Sequence, residues 1–250
     1  MATPNDSRLK VWLSANPRIY NATRMPYATA RFMARRPHDA DYGVFGLFPE
    51  RRRLFLDVGA NAGQSATSFR IYAKNPIFSV EPNPYHAKDL RYIGRLVRDL
   101  RFLMVGAGAE EATMHLYIPV YRGVPLSAEA ALDREQVATS ESLRGHLGGR
   151  MDGPNFEIVK RSVRIVPLDS LGLSPDFVKL DVQGHESQAL VGLQQTLRRT
   201  APVLLVETPD EETRSFLADL GYVSRLYDVD SRSLKAEDRP STNVVFLPSG

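Results

Sequence analysis

Asp57 stands two residues ahead of the turn Gly59-Ala60-Asn61-Ala62-Gly63, and Glu81 follows it by about two dozen residues. Glycine reaches positive φ and lets backbones approach closely, and asparagine tolerates the left-handed region better than most residues. Gly59, Asn61 and Gly63 therefore read as one tight turn. It joins a strand over Leu54–Val58 to a helix with Ala66, Phe69 and Ala73 on one face. The free N–H groups at the start of that helix favour anionic or electron-rich ligand groups. Glu81 closes the next strand, where a carboxylate can accept hydrogen bonds from both ribose hydroxyls of a nucleoside. The Gly-x-x-x-Gly spacing is not the dinucleotide fingerprint, and no Lys-Ser/Thr follows Gly63, so it is not a P-loop. A structural turn with an N-capping acid is the competing reading.

A second set of acids lies further along. Asp181 follows the strand in "DFVKLDVQG", and Glu207 follows the one in "APVLLVET". Acids at the ends of adjacent strands can converge on a hard cation such as Mg²⁺, or act through hydrogen bonds alone. His185, one short turn past Asp181, is a candidate base or a histidine that merely starts a helix. His146 is a remoter candidate, and His38, His86 and His115 have no argued role.

The elements that must position these groups alternate. Strand patterns appear in "LFLDVG", "PIFSVEP", "LRFLMVGAG", "ATMHLYIPV", "DFVKLDVQG", "APVLLVET" and "STNVVFLPS", with "SVRIVPLDSL" as an edge strand. Helical spacing recurs at Ala189, Leu190, Leu193 and Leu197 and in "EETRSFLADLGY". That alternation predicts an α/β domain with a mostly parallel sheet. Residues 1–50 form an N-terminal extension of short helices, broken at Pro17, Pro26, Pro37 and Pro49. The domain proper covers 51–250. Its polar segment 121–160 interrupts the rhythm, and long segments of this kind are usually functional lids or disordered loops.

Composition narrows the class. With no cysteine among 250 residues there is no disulfide framework, zinc ribbon or thiol nucleophile. No run resembles a signal peptide or a membrane span, so a cytoplasmic protein is expected. The net charge of +3 is uneven: residues 1–53 carry ten Lys/Arg against four Asp/Glu. That segment is either a solvated surface or a patch for an anionic partner. No basic stripe is interleaved with aromatics, so no nucleic-acid partner is expected.

With "DVGANAGQ", "VEPNP", "FVKLDVQGHESQALVGL" and "LLVET" in this order, the chain resembles the FkbM family of S-adenosylmethionine-dependent methyltransferases. The resemblance implies a Rossmann-like seven-stranded fold with helices on both faces and the last strand antiparallel. It implies S-adenosylmethionine as cofactor and methyl transfer to oxygen, often a sugar hydroxyl. Gly59, Asn61 and Gly63 would then line the methionine and ribose side of the cofactor, with Asp57 anchoring the loop. Glu81 would take the ribose hydroxyls, Pro82 and Asn83 would shape the adenine edge, and Ser127 would lie near cofactor or acceptor. Asp181, His185 and Glu207 would face the methyl group, with Mg²⁺ as an optional second cofactor on Asp181 and Glu207. The family commonly has an acid where Gln183 stands, and a small residue where His185 stands. The acceptor would be a small molecule or oligosaccharide, and a homodimer is left open. The alternatives are a catalytically silent nucleoside-binding protein, or a methyltransferase acting on a non-sugar natural product or a nucleic acid.

Overall fold

Leu54–Val58 (β1) is buried from its second residue onward, as a strand between two neighbours and two helix layers requires. The strands that follow are Ile77–Val80 (β2), Leu100–Leu103 (β3), Gly106–Ala107 (β4), Ala112–Tyr121 (β5), Val124–Pro125 (β6) and Phe156–Val166 (β7). Pro175–Leu180 (β8), Val203–Glu207 (β9), Tyr222–Asp228 (β10), Ser233–Lys235 (β11) and Asn243–Pro248 (β12) complete them. The computed structural model describes residues 17–249; Trp12, and the side chains of Tyr20 and His146, lie outside the described residues.

The main sheet has the order β11-β10-β12-β9-β8-β1-β2-β3. β1, β2, β3, β8 and β9 pair in parallel, and β12 runs antiparallel to both of its neighbours. This is the expected architecture, with β11 as an eighth strand hairpinned onto β10. β10 was not foreseen as a strand.

The helices are Pro17–Met33 (α1), Gln64–Tyr72 (α2), Ala87–Leu96 (α3), Arg134–Thr139 (α4), Glu141–Leu147 (α5), Glu186–Val191 (α6), Gln194–Thr200 (α7) and Glu211–Asp219 (α8). Alternation along the strands sorts the two faces. Leu56, Val58, Val178 and Leu180 pack against Ala189, Leu190, Leu193 and Leu197 of the α6–α7 region and Leu217 of α8. Phe55 and Phe177 point the other way. Phe55 stacks on Phe69 of α2 with centroids 3.9 Å apart, and Phe45 meets Phe55, Phe69 and Phe177 edge to face. Phe45 belongs to a 3-10 turn, Ala40–Leu47, that also buries Tyr42 and Val44.

Contacts divide the chain into two compact units. One combines residues up to Ala30 with Thr113–Val163; the other combines Arg31–Ala112 with Arg164 onward. In the first unit β7, β5 and β6 lie side by side, so the "SVRIVPLDSL" segment belongs to an inner strand rather than an edge. Tyr121, Ala131, Val137, Leu143 and Leu147 form a small core there. Residues 121–160 are thus largely folded, with α4, α5 and two strands among them. In the second unit the last residues of β7 pair with β4.

Pro26 does not break the N-terminal helix. Its ring removes one backbone donor, and the helix continues through it to Met33. The Thr23 and Thr29 hydroxyls donate to the Ile19 and Met25 carbonyls on either side, each at 2.9 Å.

Candidate functional site

Strand register assembles the site on one face of the main sheet. Asp57 lies opposite Ser79 on β2 and opposite Lys179 on β8, and Lys179 lies opposite Leu205 on β9. Two residues further, Asp181 and Glu207 fall on that same face, and Glu207 is opposite Asn243 of β12. The same face carries Phe55 and Phe177 one step deeper, so a polar row sits directly above an aromatic core.

Lys179 is the centre of the row. Its ammonium is buried and donates to Asp181 Oδ2 at 2.8 Å and to the Gly59 carbonyl at 3.2 Å. Burial alone would lower its pKa, but Tyr42, Asp181 and Asp57 around it hold it above the usual lysine value. Asp57 is fully buried and accepts the Ser79 hydroxyl at 3.0 Å, while its Oδ1 has no hydrogen-bond partner of normal geometry. Burial pushes Asp57 up to about 6, against the opposing pull of Lys179.

The turn after β1 is tied to the strands beside it. Gly59, Asn61 and Gly63 have φ of 82°, 50° and 89°. A Cβ on Gly59 would lie 1.7 Å from the Asp181 carbonyl oxygen, so only glycine fits. The Gly59 and Ala60 N–H groups donate to Val80, and the Asp181 N–H donates to Val58. Glu81 is buried and grips the loop from the other side. Its Oε2 accepts the Asn61 N–H and its Oε1 the Asn83 N–H, both at 2.7 Å. Burial raises its pKa, opposed by the charge of His86 and by these two N–H groups. Each carboxylate oxygen has two lone pairs, so Glu81 retains acceptor capacity. Asn83 is buried and caps the turn at Pro84–His86 through its Oδ1. Pro82 precedes it, beside Gly106.

Asp181 and Glu207 come together, and each shifts the titration of the other. Burial would raise Asp181, but Lys179 and the hydrogen bond with Glu207 keep it ionised below the ordinary aspartate range. Burial, reinforced by Asp181, pushes Glu207 up to about 7. Among the described residues no cluster of three or more His, Cys, Asp or Glu could hold a metal, so the expected Mg²⁺ on Asp181 and Glu207 finds no support there.

His185 is placed elsewhere. Its Nε2 lies 3.7 Å from where a Gly108 Cβ would be, and its pKa falls through burial, opposed only by Glu186. The histidine in the field of Lys179 and Asp181 is His38, from the N-terminal segment. Its backbone N–H donates to Ser68 Oγ at 2.8 Å, and its ring meets Tyr42 edge-on at 6.0 Å. His38 is exposed as a whole residue, yet the desolvation of its ring lowers its pKa, against the pull of Asp39. Asn243 bridges Asp39 and Asp41, at 2.6 and 3.1 Å, and so fastens this segment to β12 next to Glu207. Gln183 adopts a φ of 54° and is exposed, while Glu186 accepts the Val182 N–H and closes the turn. Ser127 is buried in the first unit, whereas the other expected site residues lie in the second.

Lys179 and His38 were missed. The signal for Lys179 was available: a lysine inside an otherwise apolar strand, two residues before Asp181 and hence on its face.

The pKa values imply a pH dependence of stability. Asp57 and Glu207 hold protons in the native state that the unfolded chain releases near 3.8 and 4.5. Between those values and about 6 and 7 the folded protein binds more protons, so stability falls as pH rises. The lowered pKa values of His38 and His185 work the opposite way below about 6.5, so the effect is read by difference: between pH 5 and pH 8 the denaturation midpoint of Glu207→Gln should gain on that of the wild type. A difference that stays constant over this interval would contradict the assignment.

A doubly wound sheet with a glycine-bearing turn after β1 and acids at the ends of β2, β8 and β9 defines an open α/β protein, the class in which ligands gather outside the carboxyl ends of the strands. The profile of the Methyltransferase FkbM domain matches residues 57–224, more than half the chain, and the protein belongs to that family. No curated protein matches. Among solved structures, an FkbM methyltransferase from Methylobacillus flagellatus is similar, at 15% identity and a TM-score of 0.48, over 78% of this chain and 43% of that one. This chain thus spans less than half the length of that protein. Fibrillarin from Aeropyrum pernix with natively bound S-adenosyl-L-methionine is 14% identical, over 82% of this chain and 76% of that one, with a TM-score of 0.39. The 1,6-didemethyltoxoflavin-N1-methyltransferase of Burkholderia thailandensis, with bound 1,6-didemethyltoxoflavin and S-adenosylhomocysteine, is 12% identical, over 99% and 89%, with a TM-score of 0.35. No helix among the described residues is long and apolar enough to cross a membrane.

Proposed function

We propose that this methyltransferase uses S-adenosylmethionine and methylates a hydroxyl of a sugar or saccharide-containing molecule. The observation that carries the reading is the Lys179–Asp181–Glu207 row at the strand ends, next to a turn that only glycine can make. The cofactor fits the residues present. The left-handed turn at Gly59–Gly63 is held close against the end of β8, Glu81 has spare acceptor capacity, and Lys179 fixes the loop through the Gly59 carbonyl. When bound, S-adenosylmethionine supplies an electrophilic methyl group on a sulfonium.

An attacking alcohol oxygen becomes positive as its bond to the methyl carbon forms and the carbon–sulfur bond breaks. Its proton then needs an acceptor. Asp181 is ionised at neutral pH and exposed enough to meet a hydroxyl; Lys179 holds it in position. Glu207 carries a proton and leaves the pair with a second acceptor once pH exceeds about 7. His38, whose pKa is lowered by desolvation, is a further nitrogen base in this field. His185 contributes to the turn that opens α6 and is assigned no proton transfer. Saccharide acceptors suit a rim of carboxylates and an amide, which together bind several hydroxyls.

Glu81→Ala should weaken S-adenosylmethionine binding by about 1.5–3 kcal/mol, the usual loss for a hydrogen bond to a charged group. Because Glu81 also holds the Asn61 and Asn83 N–H groups, calorimetry with 5′-methylthioadenosine and its 2′,3′-dideoxy analogue separates the two effects. The wild type should discriminate between them and the variant should not. Equal discrimination in both proteins would remove Glu81 from the ribose.

A further inference from the structure

The exposed side of α1 is largely apolar. Ile19, Ala22, Pro26, Tyr27, Ala30 and Met33 are exposed at the three- and four-residue steps that make one stripe along a helix, with the polar Thr23 among them. Ile19 is 42%, Tyr27 63% and Met33 74% exposed, values at which a surface helix normally shows polar side chains. Arg24 and Arg31 of this helix lie off the stripe and are half-buried. Exposed Arg35 and Arg36 follow its end. Charge adds a second observation. From Ser7 to His38 the sequence has seven Lys/Arg and no Asp or Glu.

We propose that α1 lies flat on an anionic phospholipid surface, with Ile19, Tyr27 and Met33 entering the headgroup boundary and the exposed Arg35 and Arg36 at its end meeting lipid phosphates. An apolar stripe flanked by cations, on a helix too polar to span, is the pattern of an interfacial helix. The helix is about 25 Å long at 1.5 Å per residue, so its whole apolar side can engage in the plane. Charge decides against the competitors. A second copy placed on this stripe would bring two wholly cationic segments together. A nucleic acid would seek arginines on the exposed side, where this helix presents carbon.

The test is flotation of the full chain with vesicles of phosphatidylglycerol and phosphatidylcholine, against phosphatidylcholine alone. Binding is expected only with the anionic vesicles, and it should fall as salt rises. Tyr27→Asp/Met33→Asp, and separately Arg35→Glu/Arg36→Glu, should each weaken partitioning by about tenfold or more. S-adenosylmethionine affinity, measured by calorimetry, should stay at the wild-type value in both, which shows that the fold is intact. Failure to bind anionic vesicles, or binding that survives both double variants, would overturn the proposal. So would a dimer in sedimentation velocity that Tyr27→Asp/Met33→Asp dissolves, since the stripe would then belong to a second copy. Duplex DNA binding with the same sensitivity would replace lipid by nucleic acid.

Discussion

Asp181→Ala should lower kcat by about 10²–10⁴ on the true acceptor, the range for loss of a positioned proton acceptor, and leave S-adenosylmethionine affinity nearly unchanged. The split follows from where the carboxylate acts. Its benefit is realised as the alcohol oxygen loses its proton, so it appears in the transition state and little in cofactor binding. Asp181→Asn is the sharper variant, because the amide oxygen still accepts from Lys179 and the shape of the row is kept. It should be nearly as slow. Glu207→Gln should be milder, with its signature in the pH profile. Wild-type kcat should rise through an apparent pKa of about 7 as Glu207 gives up its proton, and the variant should lose that limb. Near-native turnover in Asp181→Asn would move the proton acceptor off this strand end. The same rate loss in His38→Gln alone would assign the proton to the imidazole.

These residues were legible to different degrees, for physical reasons. Asp57, Gly59, Asn61, Gly63 and Glu81 are close in sequence, and their turn and strand ends are local structure, so spacing alone placed them. Asp181 and Glu207 were found by the rule that ligands gather at strand ends, and β8 and β9 proved adjacent. The raised pKa of Glu207 was beyond reach, because it depends on burial and on the nearness of Asp181. His38 was invisible for a different reason. It lies some 140 residues from Asp181 in sequence, and only the docking of the 40–47 turn through Tyr42 and Phe45 brings it into the same field. In the segment 121–160, polar composition is a weak guide to order, because a few well-spaced side chains, Val137, Leu143 and Leu147, suffice for a small core. Pro26 suggested a helix break, yet one missing donor on an exposed turn is tolerated when neighbouring threonines occupy nearby carbonyls.

Lys179→Met should cost about 3–5 kcal/mol of stability at neutral pH, the usual penalty for removing one partner of a buried ion pair. The methionine chain fills the space of the lysine stem, so packing loss is small and the effect is electrostatic. Without the ammonium, Asp57 stays fully buried with one unpartnered oxygen, and Asp181 loses its nearest cation. Both carboxyls must then rise in pKa, since Lys179 is the charge that lowers each of them. An acid whose folded pKa is raised makes the native state bind extra protons, so stability falls as pH increases through that range. The penalty in Lys179→Met should accordingly be small at pH 5 and large at pH 8, read from denaturant midpoints at constant m-value. Adding Asp57→Asn removes one of the stranded charges and should recover part of the loss at pH 8 but little at pH 5. A loss below about 1 kcal/mol, the value expected of an exposed ion pair, would show that Lys179 is not the keystone of the row. A pH-independent loss would show that its role is packing.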